Sequence, residues 1–528
     1  MLDTIRGEDM LPRYLFTSFL ILLLLVYSSV FAAEVPKTRF IVERFDIEGE
    51  NPLSQEKTQK ILLPFLGEQE GLGRLEGASR ALQDALHRKG YTFHRVIIPP
   101  QRATDGVIKL QILTFPLGQV TVEGNKYYSK ENILASVPSL RPGWIPNTFE
   151  IARSLQIVNE HPTKNLSVII QESKTPDHID AKVGVRDSKP QQFFSSLANT
   201  GTTRTGDTRL SVGYQHSNLF DLDQVLTLSY TTSPGHFSDV QQYGGYYRIP
   251  LYGVGGSLSM FITHSKADQG TVGDFFLVSG KGTFYGISFD YALFPIPISG
   301  YNHRLDLGVQ DRDFSNDTTF GGAPIGVEVR SVPYSIRYSG SLERSNYSGG
   351  FYVEYAKNAN WGEDNTAYAY ASNRLGAHNH WDVIRYGADL DYSLPKNFLL
   401  RLRLMGQWTD EPLISGERFG LGGARSVRGF EEREMSGDRG RQINIEVWTP
   451  LIAPNTRLLG FTDWGRLDLD KPIPGQLGGE TISNIGMGLR WHWKTNFNLS
   501  IDVARVTKGS EITREGDEKL HFNLFCRF

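Results

Sequence analysis

The chain has 528 residues, a formal net charge of −3 at pH 7 and 12% aromatic residues. This length allows more than one domain, and the nearly balanced charge gives no case for a nucleic-acid partner, which would call for a basic domain. A mean hydropathy of −0.31 excludes a polytopic helical membrane protein but not a β-barrel, because only every second residue of a barrel strand is apolar. The single cysteine, Cys526, excludes an internal disulfide and a cysteine-clustered metal site.

The one long apolar run lies near the N-terminus, from Leu15 to Phe31, and follows Arg6 and Arg13. Small residues come directly after it, so residues 1–33 are predicted to be a secretory signal peptide cleaved near Ala32 or Ala33. An uncleaved helical anchor is the alternative, because acidic residues interrupt the basic region. Either interpretation predicts that the rest of the chain is exported.

Residues 38–115 and 116–187 each have the pattern of a small α+β domain. In the first, a strand ends at Glu48-Gly49-Glu50-Asn51, and Ser54 is the predicted N-cap of a helix. The second unit repeats this order, with a strand that ends at Gly124-Asn125. Further helices are predicted from about 75 to 89 and after the predicted N-caps Ser129 and Thr148. The remaining predicted strands are 91–98, 107–113, 166–171 and 180–186.

Residues 190–528 alternate between apolar and polar side chains in sixteen segments, as barrel strands do. Connections after even-numbered segments are short, and those after odd-numbered segments include long ones at 357–380 and 409–439. This asymmetry predicts a transmembrane barrel of sixteen antiparallel strands; the alternative, a soluble β-sandwich, uses no such asymmetry. The predicted strands are 192–198, 207–217, 224–233, 238–249, 255–265, 279–293, 301–312, 326–338, 347–356, 381–393, 398–408, 440–449, 457–464, 482–493, 497–506 and 519–528.

The last strand predicts which face meets lipid. Leu520, Phe522 and Cys526 share one face, whereas His521 and Arg527 share the other. Charged residues on the lipid face are costly, so we expect the first set to face lipid, where Cys526 would be chemically inert.

The connection 409–439 carries the glycine-rich stretch Gly420–Phe430 with two arginines. It is too long for a hairpin turn, and loops of this length are usually functional or disordered. A barrel of sixteen strands encloses an aqueous channel. We therefore expect this loop to fold into the lumen and to be held there by Arg428, which would need an acidic partner.

Several motifs resemble those of the two-partner secretion transporters, the haemolysin-activator and filamentous-haemagglutinin exporter family. Residues 90–110 and the repeated α+β order resemble its polypeptide-transport-associated (POTRA) repeats, and 195–201 resembles its first-strand motif. The loop motif of the family is matched by Val427, Arg428, Gly429 and Phe430. Its barrel-wall motif is matched by the segment that contains Phe461, Asp463 and Gly465.

This resemblance implies that the loop tip lies in the lumen with Arg428 paired to Asp463. Glu446, on the lumen phase of the preceding strand, is a second acceptor for the arginine. The alternative is that Arg428 is a solvated loop charge and Asp463 a turn residue, because exposed pairs need no fixed geometry.

The resemblance also implies a function: an outer-membrane barrel that exports an unfolded partner exoprotein, haemolysin- or adhesin-like, bound by POTRA domains in the periplasm of a Gram-negative bacterium. An open sheet edge could accept the client by strand addition, although the repeats could instead be spacers. The alternative function is a factor that inserts other barrels into the membrane. A monomer is expected, surrounded by outer-membrane lipid and recognised by the barrel-assembly machinery through a last strand ending in Phe528.

One departure from the family is expected: only a few residues would precede Phe40 after cleavage, too few for a plug helix across a membrane core of ~30 Å.

The chain carries no zinc-protease or hydrolase motif, so neither an enzyme nor a cofactor is predicted. His378 and His380 are better explained as solvated loop residues than as metal ligands, because no third ligand stands at a telling spacing.

Overall fold

The computed structural model describes residues 39–528 apart from 103–104, 203–204, 267–269, 273–275, 279–280, 297, 316–318, 321–322, 325, 473–477 and 495. The predicted signal peptide, residues 1–33, lies outside the described residues. The chain divides after Thr114 into two compact units. In the part of the chain that the structure describes, no helix is long and apolar enough to cross a membrane.

The first unit is a small α+β domain. It contains β1 (Arg39–Val42), β2 (Arg44–Glu48), α1 (Gln55–Leu62), a 3-10 helix (Leu63–Phe65), β3 (Gly67–Glu70), α2 (Gly73–His87), β4 (His94–Ile97) and β5 (Val107–Thr114). Strand β5 is central in a three-stranded sheet, parallel to β2 and antiparallel to β4. The side chain of Ser54 caps α1 as predicted. The pairing of β1 with β3 is an element that the sequence pattern did not indicate.

The second unit begins with a repeat of this fold. It contains β6 (Leu117–Glu123), α3 (Lys130–Ala135), α4 (Thr148–Val158), β7 (Lys164–Glu172) and β8 (Ile179–Asp187), with β8 parallel to β6 and antiparallel to β7. Gly49 and Gly124 occupy equivalent positions at φ +94° and +93°, where a Cβ would lie 2.4 and 2.5 Å from a carbonyl oxygen of the sheet. The predicted cap Thr148 is wrong, because the side chain of Asn147 accepts the N–H of Phe149 instead.

The rest of the second unit is a closed antiparallel barrel with small hairpins in its connections. Its strands and the one helix described among them are β9 (Gln191–Ala198), β10 (Arg209–Leu219), β11 (Gln224–Thr232), β12 (Gln241–Leu251), β13 (Gly256–Ser265), β14 (Gly270–Val272), β15 (Phe276–Val278), β16 (Gly282–Ala292), β17 (Tyr301–Phe314), β18 (Thr319–Phe320), β19 (Ala323–Pro324), β20 (Val329–Ser331), β21 (Pro333–Glu343), β22 (Tyr347–Asn358), α5 (Ala367–Asn373), β23 (Asp382–Ser393), β24 (Leu399–Trp408), β25 (Phe419–Leu421), β26 (Met435–Gly437), β27 (Arg439–Trp448), β28 (Thr456–Asp468), β29 (Gly479–Trp493), β30 (Phe497–Lys508) and β31 (Glu518–Arg527). Two further 3-10 helices span Pro395–Asn397 and Ser415–Glu417.

Strands β20 and β21 both pair with β17 and are the two parts of one barrel strand that is interrupted at Val332. Each strand position in the wall of the barrel is called a stave below, so β20 and β21 together form one stave. Counted this way, sixteen staves close the ring, and β31 pairs with β9. The predicted sixteen-stranded antiparallel barrel is therefore confirmed.

The two faces of the barrel wall differ as the alternation predicted. Leu520 is 49% exposed on the outer face, whereas the neighbouring His521 is 3% exposed on the lumen side. On β27, Ile443 and Ile445 lie outward and Asn444 is buried in the lumen. Apolar side chains thus cover the outside of the barrel and polar ones line its interior, as a barrel in lipid requires.

The second repeat packs against the two turns that follow β10 and β12. The Lys164 amine and the Asp223 carboxylate form an ion pair whose side chains are 0% and 2% exposed. Asn132 donates to Asp223 (2.9 Å), and so does the hydroxyl of Tyr252 (2.7 Å). His161 Nε2 donates to the carbonyl oxygen of Ser217 (2.6 Å). This repeat and the barrel therefore share a fully buried polar joint.

Candidate functional site

The connection between β24 and β27, residues 409–438, is called the in-folded loop below. Its arms pair as the hairpin β25–β26, and its tip reaches the lumen face of the barrel wall. Val427 and Phe430 are both fully buried at this tip. They pack in one apolar cluster with Leu421, Leu467, Ile482 and Val506. The tip is thus held by hydrophobic contact with strands β28 to β30.

Arg428 lies between these two buried residues and faces a set of carboxylates. Its Nε donates to Asp463 Oδ2 and its Nη2 to Asp463 Oδ1, both at 2.8 Å. Its Nη1 lies 2.8 Å from Glu446 Oε1 and 3.5 Å from Asp502 Oδ2. Two parallel bonds to one carboxylate fix the orientation of a guanidinium as well as adding energy. The structure therefore brings Arg428 together with both acids that the sequence had singled out.

Asp463 is fully buried and has all the donors that a buried carboxylate needs. Besides the arginine side chain, it accepts from the N–H of Arg428 (3.1 Å), from Asn444 Nδ2 (2.8 Å) and from Asn484 Nδ2 (2.9 Å). Asn484 also donates to the carbonyl oxygen of Arg428 (2.6 Å). Removal of one partner from such a pair leaves a buried charge uncompensated, which is strongly destabilising.

The remaining motif residues shape the space around the arginine. The ring of Phe461 lies under the guanidinium, 3.4 Å from its carbon to the ring centroid, which is a cation–π contact. A Cβ on Gly465 would lie 2.6 Å from Leu421 Cδ1, so only glycine lets the loop tip approach the wall there. Gly429 has φ +94°, a left-handed conformation that other residues adopt only with strain.

Several residues of the site were missed from the sequence. Asn484 and Asp502 lie on the lumen face of their strands, and His521 Nε2 on the last strand accepts the N–H of Gly429 (2.9 Å). In the sequence, these residues differ from their neighbours only in lying at the polar positions of alternating strands. All residues that face the lumen lie at such positions, so the pattern does not single these three out. Which of these strands the tip meets is set by strand order, and that is visible only in the folded barrel.

The alternative of a solvated arginine is contradicted, because Arg428 is 3% exposed. His378 is also more than a solvated residue: its ring stacks on that of His380 at 4.0 Å, and its Nε2 lies 2.7 Å from Glu411. In the described residues, no group of three or more side chains could hold a metal ion.

A closed sixteen-stranded barrel, POTRA-like repeats and a loop anchored inside the lumen define a class of protein: an outer-membrane barrel that acts on polypeptide clients. The chain belongs to the family described as haemolysin secretion/activation protein ShlB/FhaC/HecB, whose profile matches residues 178–491. Residues 40–114 match the POTRA domain of ShlB type. Its function is two-partner secretion, the passage of a partner exoprotein across the outer membrane.

Curated relatives agree with this family. The chain is 20% identical over 485 residues to the heme/hemopexin transporter protein HuxB of Haemophilus influenzae, with 84% of this chain and 79% of HuxB covered. It is 21% identical over 466 residues to the outer membrane transporter CdiB-2 of Burkholderia pseudomallei strain 1026b, with coverage of 83% and 77%. These relatives are transporters.

Solved structures share the fold. CdiB from Escherichia coli superimposes with a TM-score of 0.73 at 17% identity, covering 94% of this chain and 92% of that one. CdiB from Acinetobacter baumannii gives a TM-score of 0.69 at 17% identity, with coverage of 97% and 98%. The predicted architecture is thereby found in two other proteins.

Proposed function

We propose that the in-folded loop is the gate of the export pore and that Arg428 is its lock. The observation that carries this proposal is the buried bidentate bond from the loop tip to Asp463 on the lumen wall. A tip held this way occupies space that a client chain in the lumen would need. Movement of the tip must first break the bonds to Asp463 and Glu446, so the closed state is favoured until a client competes.

The test is to tether the tip. Ser426 Oγ donates to Gln442 Oε1 (2.7 Å), which joins the tip to β27. In a background that carries Cys526→Ala, the pair Ser426→Cys and Gln442→Cys is bridged by a reducible bifunctional thiol reagent. We expect the bridge to stop secretion and a reductant to restore it, whereas each single cysteine variant secretes normally. Normal secretion by the bridged protein would remove the loop from the export mechanism.

We further propose that the first α+β domain binds the client along β2. The opposite edge strand, β4, is occupied: Ser79 donates to the carbonyl oxygen of Val96 (2.8 Å), and Gln83 accepts the N–H of Val96 (3.1 Å). Strand β2 pairs only with β5 within the described residues. It lines a groove of about 750 Å³ with α1. An extended chain can add to such an edge and place alternate side chains in the groove.

Two exposed leucines of this domain give a matched test. Leu63 lines the groove and is 65% exposed, whereas Leu72 is 64% exposed and does not line it. We expect Leu63→Asp to weaken binding of an unfolded client segment to the purified full-length protein and Leu72→Asp to leave it unchanged. Equal binding by both variants would contradict a site on β2.

The orientation follows from the same proposals. The α+β domains lie in the periplasm, the long loops face the outside, and the last strand ending in Phe528 is the signal read by the barrel-assembly machinery. The protein is expected to act as a monomer. A second candidate, insertion of other barrels, has no observation here in its favour. Deletion of the gene distinguishes the two: loss of one secreted protein supports export, and a general loss of outer-membrane barrels supports assembly.

A further inference from the structure

A second arginine, whose side chain is 11% exposed, anchors the in-folded loop at its roots and comes from another loop. Residues 359–381, between β22 and β23, contain α5 and are called the lid segment. Directly after α5, Arg374 forms a bidentate pair with Asp438, the last residue of the in-folded loop. Its Nη1 also donates to the carbonyl oxygen of Leu413 (2.8 Å), at the beginning of that loop. One guanidinium from the lid segment therefore holds both roots of the in-folded loop.

Asp438, the acidic partner of Arg374, also binds backbone groups of two connections. It is fully buried and accepts the N–H of Leu413 (2.8 Å) and the N–H of Asp470 (2.7 Å) in addition to the arginine. Arg374 returns a bond to the carbonyl oxygen of Asp470 (2.8 Å). Three connections thus meet at one charge pair, and both oxygens of the Asp438 carboxylate accept hydrogen bonds there. A buried pair of this kind fixes one arrangement rather than adding general stability.

Apolar packing joins the same two segments. Tyr370 and Trp381 of the lid segment are fully buried, and Leu413 and Ile414 of the in-folded loop belong to the same cluster. The ring nitrogen of Trp381 donates to the hydroxyl of Tyr370 (3.1 Å). The lid segment therefore packs against the roots of the in-folded loop and not against its tip.

We propose that Arg374 is a positioning residue of the gate: it latches the lid segment onto both roots of the in-folded loop and so holds the loop in the lumen. This inference rests on the proposed gating role of the loop. The latch at Asp438 and the lock at Asp463 restrain different parts of one loop, so loss of either weakens the hold on the loop in the lumen. The lid segment must let go of the roots before the loop can leave the lumen.

The test measures ion conductance of the purified full-length protein in planar bilayers without client. Arg374→Ala and Asp438→Asn are each expected to raise the resting open fraction at least about tenfold, which corresponds to about 1.4 kcal/mol. The double variant should raise the open fraction by less than the product of the two single effects, because both changes break the same pair. The control is Arg466→Ala, which removes an exposed arginine–aspartate pair near the end of β28, to Asp468 (2.9 Å from Nη2 to Oδ1), and should leave conductance unchanged.

An artificial latch separates positioning from folding. His378 of the lid segment and Glu411 of the loop root lie 2.7 Å apart. In Arg374→Ala with Cys526→Ala, the added substitutions His378→Cys and Glu411→Cys are bridged by a short thiol reagent, and conductance should return to the parent level. Failure of the bridge to close the pore would overturn the latch, as would parent-like conductance of Arg374→Ala beside a leaky Arg428→Ala. Parent-like conductance of Arg428→Ala itself would refute the gate and, with it, the latch.

Discussion

The buried joint between the second repeat and the barrel allows a quantitative prediction. Lys164→Met removes the amine but leaves Asp223 buried, and loss of one partner from such a pair costs about 3–5 kcal/mol. Tyr252 and Asn132 still donate to the carboxylate at 2.7 and 2.9 Å, so we expect the lower end, about 3 kcal/mol. This cost weakens the docking of the second repeat on the barrel, because Lys164 belongs to the repeat and Asp223 to a turn of the barrel.

A change of about 3 kcal/mol shifts an equilibrium by about a hundredfold. The undocked fraction can be read by amide hydrogen exchange of the turn 218–223 and of α3, since exchange through local opening reports the open population. We expect exchange in both segments to accelerate by about that factor in Lys164→Met, with the strands on the far side of the barrel unchanged.

The double variant Lys164→Met with Asp223→Asn is the control. It removes both charges but keeps an amide oxygen that can accept from Tyr252 and Asn132, so no buried charge is left unpaired and exchange should slow toward the parent rate. If the double variant opens as readily as the single one, lost packing rather than an unpaired charge is the cause. Parent-like exchange in Lys164→Met would refute the reasoning altogether.

Three further outcomes are expected. Burial lowers the pKa of His161 to about 4 from 6.5, in surroundings that include the charges of Asp223, Lys164 and Arg248. The state in which the second repeat has left the barrel therefore binds a proton more readily than the docked state. The free energy of docking should weaken by about 3 kcal/mol as pH falls from 6.5 to 4. His161→Gln should flatten that dependence of hydrogen exchange on pH. Arg428→Ala should lower secretion, measured in the culture medium, because a tip without its fixed position stays in the path of the client even though ions can pass; the barrel should still assemble, as judged by heat-modifiable gel mobility. Arg428→Lys should not restore secretion, because an ammonium cannot make the bidentate bond. Gly465→Val should displace the tip by collision with Leu421, seen as faster thiol labelling of Ser426→Cys, and normal labelling would contradict the packing described for that glycine.

The barrel could be predicted from the sequence because alternation of side chains is a local property. Each strand shows it on its own, so the sixteen staves and the outward face of Leu520 follow from the residues alone. Details that depend on neighbours in space were missed, among them the pairing of β1 with β3 and the break of one stave at Val332. Local patterns also misplaced the cap of α4, because Asn147 competes with Thr148 for the same helix end.

The charge pairs could not be read from spacing. Lys164 and Asp223 are 59 residues apart, and Arg374 and Asp438 are 64 apart. Nothing in either stretch marks these residues among the other charged ones, because the register of distant strands decides which of them meet. The contact between Arg428 and Asp463 was expected only through the family motifs, which carry that register information.

Closure of the ring through β31 and β9 has a consequence for biogenesis. The ribosome makes β9 before the other staves and β31 after them, so the sheet becomes a ring only when the last stave has been synthesised. A chain that stops earlier leaves the edges of β9 and β30 without partners, and an open edge is not tolerated in hydrocarbon. A chain that ends before β31 therefore lacks the closed ring on which a barrel in lipid depends.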